Sequence, residues 1–300
     1  MKPALGIIDI GSNSVRLMIA AAEECSVRAI SKTLCTTRLA KGIDQTRCLS
    51  EDRVADTVAA IARYKAQTDA HGIPVIAYAT SAVRDAENRD AFVARVKAQT
   101  GVSVRVLSGE QEGSFAFSAV TGGEGTVFDI GGGSFQIVTR ERSVSFPCGC
   151  VRAKEQCDVP QPSVLRDRLF AWIDAHAEVP GSVPPPVYGV GGTITTISAL
   201  ITGMTAYDPT RLKPIALSEL LSLTEVLCAI PEPTRMEHPL LLRRGDVILQ
   251  GATILRYMME RTHTDCVIPS DRDGMEGIAE AFLKDGTFTL KSDGSVLYDE

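Results

Sequence analysis

Residues 7–20 read IIDIGSNSVRLMIA and residues 127–140 read VFDIGGGSFQIVTR. Asp9 and Asp129, Gly11 and Gly131, and Ser14 and Ser134 occupy matching places in the two stretches, 120 positions apart. Each stretch is an apolar run, a turn of small residues and a second apolar run rich in branched side chains, which is the pattern of a β-hairpin. A hairpin that returns at this distance predicts two related halves. With 300 residues there is chain enough for two domains of about 150 residues each.

Strand and helix patterns alternate through the rest of the chain, predicting an α/β architecture. After the first hairpin, Val27 to Leu34 reads as a strand, and Ser50-Glu51-Asp52 precedes Val54, Val58 and Ile61 at helical spacing. Strands are predicted over 73–79 and 102–107, and helices over 88–100 and from Ser108 through Val120. Glu110 and Glu112 fall in the first turns of the latter, where carboxylates suit the helix dipole. The second half repeats the order, with strands at 126–130, 135–139 and 144–147, a helix over 164–176, and a strand at 187–190 that runs into a helix at Gly191-Gly192-Thr193. Helices near 218–229 and 246–260, a strand at 266–269 and a helix over 274–284 follow, and the last stretch alternates around Asp293-Gly294 as a hairpin. The expected division is residues 1–118, residues 119–284, and a tail or hairpin at 285–300.

Charge restricts the ligands. Lys and Arg total 31 against 37 Asp and Glu, a formal charge of −6. That balance argues against broad capture of polyanions, so duplex nucleic acid is not an expected partner and any polyanion needs a local site. Aromatic residues at 5% leave little material for stacking bases. The eight cysteines form no C-x-x-C pair and are expected to be reduced, buried small side chains. Asp9 and Arg16 interrupt the first apolar run, so neither a signal peptide nor a membrane span fits, and a cytoplasmic location is expected. P-loop and H-E-x-x-H motifs do not occur, and no two of the four histidines have ligand spacing on one helix face.

A strand that ends in Asp and runs into a Gly-rich turn can do two things. Small residues let exposed backbone N–H groups approach phosphate oxygens, and the carboxylate can hold Mg²⁺ directly or through water. Two such turns at matching positions point to phosphate binding. Six co-linear motifs then carry a resemblance: DIGSNSVRL (9–17), ATSAVRDAEN (79–88), LSGEQEG (107–113), DIGGGSFQIV (129–138), GCVRAKE (149–155) and YGVGGTITTISAL (188–200). Together the chain resembles the Ppx/GppA family of exopolyphosphatases and guanosine pentaphosphate phosphohydrolases over nearly its whole length. The resemblance implies a duplicated ribonuclease-H-like fold of the actin, Hsp70 and sugar-kinase superfamily, with an interdomain cleft as the active site.

The resemblance also assigns roles. Glu112 matches the catalytic Glu that deprotonates the attacking water, and Asp9, Glu112 and Asp129 would hold Mg²⁺ or another divalent cation. Gly11, Ser12, Asn13, Ser14 and Arg16, then Gly131, Gly132, Gly133 and Ser134, and finally Gly191, Gly192 and Thr193 would contact phosphates. Arg84 matches a phosphate-clamping arginine. Arg38, Lys41, Arg152 and Lys154 could extend a basic track along a chain substrate. Two departures stand out: Gln136 replaces a Glu found in many relatives, which implies weaker metal affinity, and SDRDGMEG (270–277) has Met275 where many relatives have Arg. Long relatives add helical domains, so a two-domain chain suggests short substrates.

The expected activity is release of terminal orthophosphate from inorganic polyphosphate, with guanosine pentaphosphate as the close alternative substrate. A non-hydrolysing polyphosphate or alarmone sensor, and an ATP-dependent kinase or ATPase, are the readings from other classes. A homodimer is implied by resemblance alone.

Overall fold

A computed structural model describes residues 4–23, 27–284, 288–290 and 296–298. The chain folds into two compact units: Met1–Ala119 joined by Gly274–Glu300, and Val120–Asp273.

In the first unit, β1 (Ala4–Ile10), β2 (Ser14–Ala22) and β3 (Val27–Thr36) precede α1 (Ile43–Thr46), α2 (Glu51–Asp69), β4 (Val75–Ala79), α3 (Ser81–Asp85), α4 (Arg89–Thr100), β5 (Val104–Val106) and α5 (Gly109–Thr121). The strands lie in the order β3-β2-β1-β4-β5. The first three are antiparallel neighbours, while β4 runs parallel to β1 and β5 parallel to β4. Residues Leu5 to Ile10 are all buried, as a central strand covered on both faces requires. Gly101, with φ 73°, ends α4 in the left-handed conformation that glycine adopts without strain.

The second unit holds β6 (Thr126–Ile130), β7 (Phe135–Thr139), β8 (Ser143–Phe146), α6 (Cys150–Gln156), α7 (Pro162–Asp174), β9 (Val187–Val190), α8 (Gly191–Ile201), β10 (Ile215–Ala216), α9 (Leu217–Ala229), α10 (Glu232–Arg235), α11 (Ile248–Arg261) and β11 (Cys266–Pro269). Its order, β8-β7-β6-β9-β11-β10, repeats the first sheet and adds the short antiparallel β10 at one edge. Both units therefore have the ribonuclease-H-like arrangement of three antiparallel strands followed by two parallel ones, and the duplication read from the two hairpins extends to topology. The core here forms around α11, which is buried along most of its length. Tyr257 meets Phe170 edge-on at 5.0 Å and Phe135 at 6.4 Å.

Then α12 (Gly274–Lys284) follows. The expected boundary at 118/119 falls one residue from the observed one, but α12, expected with the second half, belongs to the first unit. Its Met275, Ile278 and Ala279 are buried in one cluster with Leu5, Ile7 and Met18, so the apolar stripe of this helix finds its partners on the first sheet. Met275, standing where many relatives have Arg, is core. After it, β12 (Phe288–Leu290) and β13 (Val296–Tyr298) pair antiparallel, as the hairpin pattern predicts. The turn at Asp293-Gly294 lies outside the described residues, as does Cys25. Of the other cysteines, Cys148, Cys150, Cys157 and Cys228 are buried as expected, Cys35 and Cys48 are half-buried, and Cys266 is exposed. Among the described residues no helix is long and apolar enough to cross a membrane.

Candidate functional site

Both hairpin turns close with the same bond: Gly11 N–H donates to the Ser14 carbonyl at 3.0 Å, and Gly131 N–H to the Ser134 carbonyl at 2.9 Å. The turn carbonyls are then taken up by the segment after each third strand. Thr37 and Arg38 donate to the Asn13 carbonyl at 3.1 and 2.9 Å, and Ala40 donates to that of Ser12 at 2.9 Å. In the second unit, Cys150 and Val151, at the start of α6, donate to the carbonyls of Gly131 and Gly132 at 3.0 and 2.8 Å. Among the described residues no backbone carbonyl accepts from the N–H groups of Ser12, Asn13, Gly132 or Gly133. A turn whose carbonyls are satisfied while its N–H groups remain available is a nest for anionic oxygens. Gly149 allows the second turn to be backed this way, because a Cβ there would overlap the Gly132 carbonyl and the Ser134 nitrogen. The GCVRAKE motif contains this glycine, but its job is visible only once α6 is seen against the turn.

The two strand-end aspartates have different partners. Asp9 lies opposite Arg16 in the β1–β2 register, and Arg16 donates from Nε at 2.8 Å and Nη2 at 2.5 Å to Asp9 Oδ2. Asp129 lies opposite Gln136, which is 1% exposed and whose Oε1 accepts no hydrogen bond. Gly191 has φ 83°, and a Cβ on it would sit 2.9 Å from Asp129 Oδ1. An oxygen ligand beside a cradle that only glycine leaves open, with a buried amide at the paired position of the next strand, suits a small hard cation that keeps most of its waters. No cluster of three or more His, Cys, Asp or Glu side chains able to hold a metal occurs among the described residues.

One arginine was missed from the sequence. Arg244 places its guanidinium where a Gly192 side chain would begin, next to Thr193 in the first turn of α8. Nothing local signals this, since 52 positions separate the two residues. Its charge reaches Cys150, but burial dominates there and pushes the thiol up to about 11. Cys150 is therefore a neutral thiol near neutrality, unsuited to nucleophilic attack.

In the first unit, α5 begins with a reciprocal cap: the Ser108 hydroxyl accepts from Gln111 N–H at 3.1 Å, and Gln111 Oε1 accepts from Ser108 N–H at 3.0 Å. This fixes the turn that carries Glu112. Arg84 Nη1 donates to Glu112 Oε2 at 3.3 Å and to the Leu107 carbonyl at 3.1 Å. The Ser12 and Ser81 hydroxyls lie 3.0 Å apart, joining the first turn to the start of α3, the helix that carries Arg84. Ser12, Arg84 and Glu112 are thus linked within one unit, while Asp129, Gly131 to Ser134, and Gly191 to Thr193 gather in the other.

The basic track does not survive in full. Lys154 is held by Asp158 at 2.6 Å and Glu232 at 2.5 Å. Arg152 is buried, with Nη1 donating to the Pro147 carbonyl at 3.3 Å. Both have structural partners that a count of basic residues cannot reveal.

A sequence profile of the Ppx/GppA phosphatase family matches residues 18–284. The chain is 32% identical to Exopolyphosphatase 2 of Mycobacterium tuberculosis over 309 residues, covering 91% of this chain and 96% of that protein. The crystal structure of the Aquifex aeolicus Ppx/GppA family member superposes with a TM-score of 0.77 at 30% identity, covering 96% of this chain and all of that one. An exopolyphosphatase from Cytophaga hutchinsonii, at 21% identity, shares the fold with a TM-score of 0.82 over 94% of this chain and 98% of its own.

Proposed function

This chain belongs to the Ppx/GppA phosphatase family, and from that premise we propose that it is an exopolyphosphatase in which Glu112 serves as the base for the water that attacks the terminal phosphorus. The observation that carries the reading is the position of Glu112, held in the capped first turn of α5 by Arg84, in the unit whose Ser12-Asn13 turn offers unclaimed N–H groups.

Phosphoryl transfer asks a protein mainly for placement of the nucleophile and for positive charge or N–H donors around the phosphoryl oxygens. Glu112 is 19% exposed at its side chain, so water reaches it. Arg84 keeps the carboxylate oriented to accept a proton from that water. The turns at 11–14 and 131–134 would hold phosphate oxygens through backbone N–H groups. Arg16, fixed by Asp9, presents its guanidinium in one orientation, and such a planar fork suits phosphate. Asp129, with Gln136 opposite and Gly191 leaving room beside it, would hold a divalent cation, which when bound supplies charge neutralisation to the phosphate oxygens. The pairing of Asp9 with Arg16 favours Asp129 over Asp9 for that task.

Polyphosphate is the preferred substrate class because the mycobacterial relative that aligns along nearly the whole chain is called an exopolyphosphatase. Orthophosphate release should be measured from tripolyphosphate, long polyphosphate, guanosine pentaphosphate and ATP, with and without Mg²⁺. The expected result is Mg²⁺-dependent release from polyphosphate that Glu112→Gln lowers by several orders of magnitude while binding persists. Saturable binding with no turnover by the native chain would instead support a sensor.

A further inference from the structure

We propose that Gly277 is a positioning residue for Glu112, acting through backbone contact between α12 and α5. The proposal rests on Glu112 being the catalytic base. A Cβ on Gly277 would fall onto the backbone of Phe115, within van der Waals overlap of its carbonyl carbon and oxygen and 2.9 Å from its Cα. These are main-chain atoms, so no rotamer change can make room. One turn earlier on α12, a Cβ on Gly274 would lie 3.8 Å from the Glu112 carbonyl oxygen and 4.0 Å from the Ala116 nitrogen, which is ordinary contact. The start of α12 therefore lies along the turn of α5 that carries Glu112, and Gly277 sets how closely the two backbones approach.

Two further anchors make α12 a rigid reference. Met275, Ile278 and Ala279 are embedded in the cluster formed with β1, β2 and β4, and Phe115 packs against the same cluster. Glu276, 3% exposed at its side chain, pairs with Lys32 of β3 at 2.7 Å. With one side fixed to the sheet, added volume at Gly277 has to be relieved by displacing α5, and Glu112 moves with it. A displacement of about 1 Å at a reacting group can cost on the order of 100-fold in rate.

The test is a double-mutant cycle on orthophosphate release, with circular dichroism and thermal melting to establish folding. Gly277→Ala should lower kcat by about 10- to 100-fold with little change in KM, whereas Gly274→Ala should leave kcat at the native value. Glu112→Gln leaves only the slow background turnover of substrate held without its base, which is read in long incubations at high enzyme concentration, and adding Gly277→Ala should not reduce that rate further. A second multiplicative loss in the Glu112→Gln background would show a merely structural effect and overturn the proposal, as would native kcat in Gly277→Ala. If Glu112→Gln alone retains full activity, the base assignment fails, which is a separate result. Should Gly277→Ala not fold, Ile278→Val loosens the same helix without a backbone clash and carries the same cycle with the same deciding outcomes.

Discussion

Arg84 uses one nitrogen, Nη1, to reach both Glu112 Oε2 at 3.3 Å and the Leu107 carbonyl at 3.1 Å. The carboxylate is thereby tied to the chain just before its own helix. Lys keeps the charge, but its ammonium sits on a freely rotating stem and lacks the rigid guanidinium plane that fixes where Nη1 points. Arg84→Lys is expected to lower kcat at least about tenfold while the melting temperature changes little, because the pair is partly exposed and such pairs contribute little to stability. Native kcat in this variant would remove Arg84 from the orientation of Glu112.

Gly191 and Gly203 both have positive φ, 83° and 67°, but a Cβ on Gly191 would lie 2.9 Å from Asp129 Oδ1 while one on Gly203 would meet open space. Substitution by Ala imposes a left-handed penalty of roughly 1–2 kcal/mol at either site. Gly191→Ala should also push Asp129 aside, raising the Mg²⁺ concentration needed for half-maximal rate, while Gly203→Ala should leave it unchanged. Equal metal requirements in the two variants would separate Asp129 from the cation.

Gln136 is buried opposite Asp129 with an unused amide oxygen. Gln136→Glu would place a second carboxylate there, so the Mg²⁺ titration of activity should shift to lower concentration. In EDTA the same variant should melt several degrees below the native protein, since a buried carboxylate without a cation is costly. A metal titration identical to that of the native chain would count against a cation at Asp129.

Burial pushes the Cys150 thiol up to about 11 from an ordinary 9.0. Between those values the unfolded chain loses the thiol proton and the folded chain keeps it, so stability present below pH 9 falls as pH rises toward 11. At full effect the loss is about 3 kcal/mol. Urea unfolding followed from below the lower of these values to the upper one should show this decline, and Cys150→Ala should flatten part of it. In the native state near neutral pH, an alkylating reagent should modify exposed Cys266 well before Cys150.

The two hairpins were legible because each combines a run of β-type residues with a turn of small ones, whereas the duplicated fold around them came from the family resemblance. Long amphipathic helices such as α2 announced themselves through Val54, Val58 and Ile61. Short elements did not: α6 spans seven residues and is started by carbonyls of a turn some 18 positions upstream, a tertiary cause with no local trace. The positions of Asp9 and Asp129 at the ends of matching strands could be read from the motifs, whereas the pairing of Asp9 with Arg16 depends on cross-strand register. Arg244 and Gly277 act on backbone far away in sequence, so only packing exposes them. The same holds for Lys154, whose acidic partners include Glu232, 78 positions on.

The second unit is one uninterrupted stretch, Val120–Asp273, set inside the sequence of the first. During synthesis it can fold as soon as its last strand has left the ribosome, because domains form as units when their chain is complete. The first unit has no such option. Its sheet emerges earliest, yet Met275, Ile278 and Ala279 of α12 complete its core, so the part of the protein begun first is finished last. A nascent chain stopped before residue 274 would carry a folded second unit beside an open, chaperone-accessible apolar face on the first sheet.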